Sequence, residues 1–305
     1  MKRVARLLIL RECGSRVVRL SLVMAFQRLG NLRFAVIGAG RIGAAIIRSL
    51  IACGAVQVVG TGRREETLEN VRRLGAKATR DNRWAASWAD VVIISVKPHH
   101  LPEVVKEIMS TVRGKVLVSV VAGVRVKTLE KLFPGAVVYR AMPNINVVIG
   151  RSTTAVTPAR GDEHDVVVDS MFKCMGSVYW IPEELFDVWT ALIGSGPAFI
   201  AEIVDALVLG AVSAGMPRDI AYRALLDMIT STVELLRDNK MHPSQLRDLV
   251  ATPAGTTIRG LKVLEERAVK AALMEVVEKS AERSRELGEE IDKIASALLA
   301  NSDSD

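Results

Sequence analysis

Two segments of this sequence have the residue types and spacing to do chemistry, and neither depends on an ionisable catalytic group. The first is "VIGAGRIG", residues 36–43, which spaces Gly38, Gly40 and Gly43 as GxGxxG around Ala39, Arg41 and Ile42. An apolar run ends at Ile37 and a helical pattern starts at Arg41, so the triplet sits at a strand-to-helix turn. In such a turn the first glycine permits the tight bend. The second lets backbone approach a pyrophosphate, and the third lets helix and strand pack closely. The helix N-terminus adds unbonded N–H groups and a partial positive charge for phosphates. The second segment is "LVATPAGTTIRGL", residues 249–261, without histidine, carboxylate, lysine or cysteine. The amides of Gly255, Thr256 and Thr257 open a helix there and are expected to lack helical partners. Such a cluster binds a carboxylate with no charged side chain. An ordinary helix cap explains the threonines equally well, and spacing alone does not choose.

The end of the second strand sorts the dinucleotide. A site for the unphosphorylated ribose usually has an acid there; this chain has "TGRREE", with Thr61, Gly62, Arg63 and Arg64. Two guanidiniums and a hydroxyl suit a 2′-phosphate, so NADP(H) is favoured, with NAD(H) kept open; arginines that are merely solvated or paired with Glu65 and Glu66 are the bland alternative. "SVKPHH" (95–100) and "SVVAGV" (119–124) follow two further strands, at the carboxyl ends where open α/β sheets bind ligands. They offer Ser95, Val96, Lys97 and Pro98, then Ala122 and Gly123. Adjacent His99 and His100 are expected to point apart, which argues against a metal or acid–base pair. In "RAMPNIN" (140–146), Asn144 is either a ligand for the carboxamide or substrate, or a structural turn residue. Pro197 and two glycines in "ALIGSGPAFIAE" imply a kink or a close backbone approach.

These residues need a scaffold that brings strand ends together. From Leu32 to about Pro182, strand-like runs alternate with helical patterns: 33–37, 55–61, 90–96, 115–121, 136–140, 152–158 and 177–181. The near-continuous apolar runs fit a sheet covered on both faces, and the alternation fits a doubly wound parallel sheet. After Pro182 only helices are expected, over 186–215, 217–239, 243–249, 256–266 and 268–300. The expected organisation is a basic extension over 1–31, a Rossmann domain over 32–183, a helical domain over 184–300 and a disordered tail at 301–305.

Composition narrows the partners. The chain has 305 residues, a net charge of +7 and three cysteines with no CxxC pair. Much of the positive excess lies in the first thirty residues, so a phosphorylated cofactor or an acidic small molecule explains it as well as nucleic acid. Cysteine spacing argues against a disulfide and zinc, and a reducing cytoplasm is expected. The N-terminus carries six arginines, one lysine and one acid; it reads as an over-extended start before Met24, a basic helix or a transit peptide, not as a membrane span. The apolar run 198–214 carries Glu202 and Asp205 and is expected to fall short of a membrane helix.

Taken together, "VIGAGRIG", "VIISVKP", "SVVAG", "RAMPN", "DVWTALIGSGPAF", "AGMPRDIA" and above all "PSQLRDLVATPAGTTIRGLKVLEE" resemble the Δ1-pyrroline-5-carboxylate reductases, over about 32–288. The resemblance implies a soluble cytoplasmic enzyme of the last step of proline biosynthesis. It implies an all-α dimerisation domain that interlocks with its partner, often building decamers, with nucleic acid and membrane outside its partners. It places residues Gly38 to Gly43, Thr61, Asn82, Val96, Lys97 and Ala122 against NADP(H). Gly255, Thr256 and Thr257 would take the carboxylate and ring nitrogen of the small-molecule substrate. The chain departs from the family pattern at Arg41, at "MPNIN" for "MPNTP", at Leu249, and at Ala254 in place of the first glycine of "PGGTT". A β-hydroxyacid or other imine reductase would place a lysine early in its second domain, and none stands between Glu183 and Arg237. A non-catalytic NADP-binding regulator or scaffold is the alternative from a different class, and the intact glycine and threonine motifs argue against decay of an active site.

Overall fold

The computed structural model describes residues 29–302, so most of the basic extension and the last three residues lie outside it. The order of elements follows from the alternation of patterns. Residues 29–194 and 280–302 form one compact unit and Ser195–Lys279 a second.

In the first unit, β1 (Arg33–Ile37), β2 (Gln57–Thr61), β3 (Lys77–Thr79), β4 (Val91–Ile94), β5 (Val116–Ser119) and β6 (Val137–Met142) make a parallel sheet. The order is β3-β2-β1-β4-β5-β6, continued by β7 (Ser152–Thr157) and β8 (Gly176–Trp180). The apolar runs are continuous because both faces are covered. Phe34, Val36, Val91, Ile93, Val116 and Val118 point into one core, and Ala35, Ile37, Val92, Ile94 and Leu117 into the other. On the first face lie α1 (Arg41–Ala52) and, later in the chain, α6 (Glu163–Lys173). On the second lie α3 (Asn82–Trp88), α4 (Leu101–Ile108) and α5 (Val126–Leu132); α2 (Glu65–Arg73) leads into β3.

Three features differ from the sequence reading. The short β3 carries no apolar run of its own, "KAT", and is recognisable only by its pairing with β2. Next, β7 runs antiparallel to β6 and β8 follows β7, so the series does not stay parallel. The link from β6 to β7, residues 143–151, is too short for the dozen or so residues that a parallel crossover needs. Finally, Cys53 and Cys174, 121 residues apart, form a disulfide with Cα atoms 6.0 Å apart. Spacing along the chain argued against it. Folding overrides that argument, because the residues just after α1 and α6 end in the same face's core.

The chain continues through α7 (Phe186–Trp189) and a π-helical turn, Thr190–Gly194, the bend expected from the glycine–proline segment. The second unit holds α8 (Gly196–Ser213), α9 (Arg218–Asp238), α10 (Pro243–Val250), α11 (Thr256–Glu266) and the start of α12 (Val269–Ser302). Its own core is small, centred on Val204, Val208 and Ala221. Many large apolar side chains stay exposed, among them Ile200, Leu207, Met228, Leu264 and Met274. Helical turns before α8 extend the apolar stretch to Glu183–Ser213, with mean hydropathy 1.7. By length and composition alone it is able to cross a membrane, contrary to the expectation set by Glu202 and Asp205.

The C-terminal part of α12 returns to the first unit. Gly288 and Gly123 meet backbone to backbone: a Cβ on Gly288 would lie 3.0 Å from Gly123 O, and one on Gly123 3.2 Å from Gly288 N. Asp292 accepts hydrogen bonds from Arg125 Nη1 at 2.9 Å and from Thr128 Oγ1, and Ser284 Oγ donates to Asp187 at 2.7 Å.

The bridge is open to test. Cys174→Ser lowers the unfolding free energy by about 2–4 kcal/mol under non-reducing conditions, measured by chemical denaturation. With thiol reductant present, variant and wild type unfold alike. Equal stability without reductant contradicts a formed disulfide.

Candidate functional site

The turn from β1 to α1 is built so that no side chain fills it. Gly38 has φ +89°, and a Cβ there would lie 2.5 Å from Val96 Cγ1 and 3.0 Å from Ser95 O. A Cβ on Gly43 would strike Gly38 O. Gly40 differs, because a Cβ there meets nothing within 4 Å. Its smallness serves the open space rather than the fold. Thr61 braces the turn from β2: its Oγ1 accepts from Gly38 N at 3.0 Å and its carbonyl from Ala39 N at 2.7 Å. Among the described residues, the amides of Gly40, Arg41, Ile42 and Gly43 have no acceptor. Open space, four unbonded amides and the positive end of α1 fit a dinucleotide pyrophosphate.

These groups open on a cavity of about 870 Å³. Of the expected cofactor residues, Gly38, Ala39, Gly40, Arg41 and Ile42 line it, followed by Thr61, Gly62, Arg63 and Arg64, then Asn82, Ser95, Val96 and Lys97. Thr61 is 2% exposed and its oxygen is engaged by Gly38, so it braces the loop more than it greets a phosphate. Asn82 donates to Glu107 Oε2 at 2.5 Å. Gly43 lies behind the turn, and Pro98 and Ala122 are not among the lining residues. Gly123 serves the contact with α12 instead. Asn144 is 6% exposed and caps a turn, its Oδ1 accepting from Asn146 N at 3.3 Å and Thr153 N at 3.4 Å. For Asn144 the structure favours the turn over the ligand.

Sequence reasoning missed Arg80, His100 and Glu103, which line the arginine end of the cavity. Arg80 Nη1 donates to Arg63 O at 2.8 Å, and its Nη2 to Glu65 Oε2 at 2.7 Å. Arg72 occupies the other Glu65 oxygen at 2.8 Å. Glu65 thus holds Arg72 and Arg80, and both hold its carboxyl below the usual carboxylate range through their hydrogen bonds. Arg63 pairs instead with Glu103 at 3.5 Å and His100 at 2.6 Å. The two histidines do not point apart as expected: one turn of 3-10 helix brings their ring centroids to 4.1 Å. Arg80 was legible only as one residue past a strand that had no signal of its own.

In the second unit, a turn at Thr252–Gly255 feeds α11. Ala254 has φ +59°, a conformation that glycine adopts more readily than alanine. Gly255 N–H donates to Thr252 O at 3.1 Å, so this amide is spent on the turn, contrary to the sequence expectation. The amides of Thr256 and Thr257 have no acceptor among the described residues. A Cβ on Gly255 would crowd Thr252 Oγ1 and lie 3.2 Å from Thr252 O, so the turn would have to shift to accept a side chain. The start of α11 therefore offers two amides and the Thr257 hydroxyl. The same unit carries an apolar groove of about 590 Å³ where Leu261 and Leu264 of α11 face Leu273, Met274 and Val277 of α12.

Comparison with known proteins gives this arrangement its context. Residues 183–287 match the family model described as pyrroline-5-carboxylate reductase dimerisation. Residues 33–123 match one described as NADP oxidoreductase, coenzyme F420-dependent. The pyrroline-5-carboxylate reductase of Thermus thermophilus is 38% identical over 265 residues, covering 85% of this chain and 99% of the relative. The chain belongs to the pyrroline-5-carboxylate reductase family. Among solved structures, the family's enzyme from Coxiella burnetii is 28% identical with a TM-score of 0.75, covering 84% of this chain and 98% of that one. That from Plasmodium falciparum, with NADP bound, shares the fold at 23% identity and a TM-score of 0.77, covering 85% and 99%. Within this family the exposed apolar surface of the helical unit is accounted for: it belongs to a dimerisation module and serves self-association.

The two kinds of glycine separate in a binding experiment. Gly40→Val leaves the melting temperature within a degree or two, because the site is open, but weakens NADPH binding by at least about tenfold, roughly 1.4 kcal/mol. Gly43→Ala destabilises the protein itself. Unweakened binding by Gly40→Val, in titration calorimetry, contradicts the assignment of the cavity.

Proposed function

We propose that the chain reduces 1-pyrroline-5-carboxylate to L-proline, the last step of proline biosynthesis, with NADPH as the favoured reductant. Family membership across both units supports the reading, and the observation that carries it is the pair of acceptor-free amides at Thr256 and Thr257. When bound, the nicotinamide supplies the hydride that reduces the carbon–nitrogen double bond. The chain's own residues bind and align. The amides of Gly40, Arg41, Ile42 and Gly43 would hold the pyrophosphate, and Arg63 and Arg64, which line the same cavity, would meet the 2′-phosphate. Thr256 and Thr257 N–H groups, at the positive end of α11, take the substrate carboxylate. The Thr257 hydroxyl, in a half-buried side chain, donates or accepts at the ring nitrogen.

No strong general acid is required, because a protonated imine is already electrophilic. Alignment of the reacting atoms supplies ~7–11 kcal/mol in favourable cases. In this proposal the first unit carries the nucleotide and the second unit, Ser195–Lys279, takes the substrate carboxylate, with the dimer contact inside the matched region 183–287. The assembly goes beyond a dimer to a decamer and binds neither nucleic acid nor membrane. The apolar stretch 183–213 falls inside the matched dimerisation region, so a partner subunit covers what lipid would otherwise cover. A cytoplasmic setting suits a soluble metabolite and cofactor.

Thr257→Ala tests the site. Loss of one hydrogen bond to a charged group, about 1.5–3 kcal/mol, lowers kcat on pyrroline-5-carboxylate by roughly 10- to 100-fold. NADPH affinity stays within about twofold. An unchanged kcat rejects this role for Thr257.

A further inference from the structure

The arginine end of the nucleotide cavity is lined by one imidazole, that of His100. We propose that His100 is a pH-responsive member of the 2′-phosphate subsite and sets how strongly the chain prefers a phosphorylated over an unphosphorylated dinucleotide. The proposal rests on the reading of this cavity as an NADP(H) site.

The geometry places His100 at that end. Arg63 Nη2 lies 2.6 Å from His100 Nε2 and 3.4 Å from Nδ1. Arg63 and His100 line the same cavity as Arg64 and Arg80. The loop that carries Arg63 is fixed by Arg80, which holds the Arg63 carbonyl and is itself held by Glu65. A guanidinium that donates to an imidazole nitrogen needs that nitrogen unprotonated. In this arrangement His100 is therefore neutral. Desolvation holds its pKa below the usual histidine value, and Arg63 and then His99 push it the same way, against the carboxylate of Glu103. The charged groups around it come from every neighbouring element. Arg63 and Arg64 lie before α2, and Arg80 follows β3. Lys97 and His99 share its own turn, and α4 supplies Glu103 and Glu107.

Desolvation first, and the neighbouring Arg63 guanidinium second, favour the neutral ring. A phosphate dianion seated among Arg63, Arg64 and Arg80 reverses the local field. Arg63 then donates to phosphate oxygens, and the freed imidazole gains a proton and becomes a further cation beside them. Binding of the 2′-phosphate is thereby coupled to uptake of a proton at His100. Affinity for the phosphorylated nucleotide rises as pH falls through the histidine range, up to about tenfold for each unit by which the phosphate raises the imidazole pKa. A nucleotide with no 2′-phosphate has nothing to gain from the protonated ring. Sequence alone hides this, because "KPHH" reads as a loop pair with no partner, whereas the turn presents His100 to an arginine 37 residues earlier.

The test is calorimetric titration of the full-length protein with adenosine 2′,5′-bisphosphate and with adenosine 5′-monophosphate. It runs from roughly pH 6 to 8, in buffers of different ionisation enthalpy, so that bound protons are counted directly. Wild type takes up more protons with the bisphosphate than His100→Asn does, and its preference for the bisphosphate rises severalfold as pH falls. His100→Asn binds the bisphosphate weakly with a flatter pH dependence. His100→Lys binds it tightly across the range, also with a flatter dependence. The phosphate's own titration, near pH 6, is common to all three proteins and cancels in the comparison. The proposal is overturned if His100→Asn keeps the wild-type slope and proton count, or weakens both nucleotides equally. Binding of neither nucleotide overturns it together with the cofactor reading. The expected binding pattern without turnover of pyrroline-5-carboxylate supports it and rejects only the substrate assigned above.

Discussion

The turn after β1 is the constraint on which the rest depends. It closes only because Gly38 and Gly43 have no side chains: one would meet Val96 and Ser95 of the neighbouring strand end, the other the Gly38 carbonyl. That closure sets α1 directly on β1, and Thr61 locks the turn from the adjacent strand through two hydrogen bonds. Three elements thus converge where backbone amides are left without acceptors. An anion site follows from the packing requirement, since α1 cannot seat closely without presenting its N-terminus to the strand ends. The parallel order β3-β2-β1-β4 then puts the arginines after β2 on one side and Lys97 on the other.

The same physical device appears a second time in the helical unit. There the N-cap is Gly255, where a side chain would crowd Thr252, and the unbonded amides belong to Thr256 and Thr257. Both helix starts present backbone dipoles to negative charge, and such dipoles neither titrate nor need a counter-ion. Ionisable groups cluster after β2, where Glu65 arranges Arg72 and Arg80, and Arg63 turns to His100 and Glu103.

The sequence was most legible where a local pattern decides the structure. Strand–helix alternation identified the sheet, and "VIGAGRIG" located the turn because its glycines have local steric causes. Long-range features were hidden. β3 has only "KAT" and exists through its pairing with β2, so the role of Arg80 just after it went unseen. The cysteines show no close spacing and meet only because the ends of α1 and α6 share one face. The reversal at β7 follows from connection length. Gly123 and Asn144 sit in suggestive motifs at strand ends, yet one makes room for α12 and the other caps a turn. The neutral segment at 249–261 reads as a site only through the family motif, and the fold leaves two of its three amides, not three, without an acceptor among the described residues.

The central claim is that this chain delivers a hydride from a dinucleotide to the imine carbon of pyrroline-5-carboxylate. The most direct measurement uses NADPH carrying deuterium at the transferable position of the nicotinamide, with the proline formed examined by mass spectrometry and NMR. The account predicts L-proline with one deuterium at C5, formed in equal amount to the NADPH oxidised. NADPH oxidation without proline, or proline with no deuterium at that carbon, would contradict it.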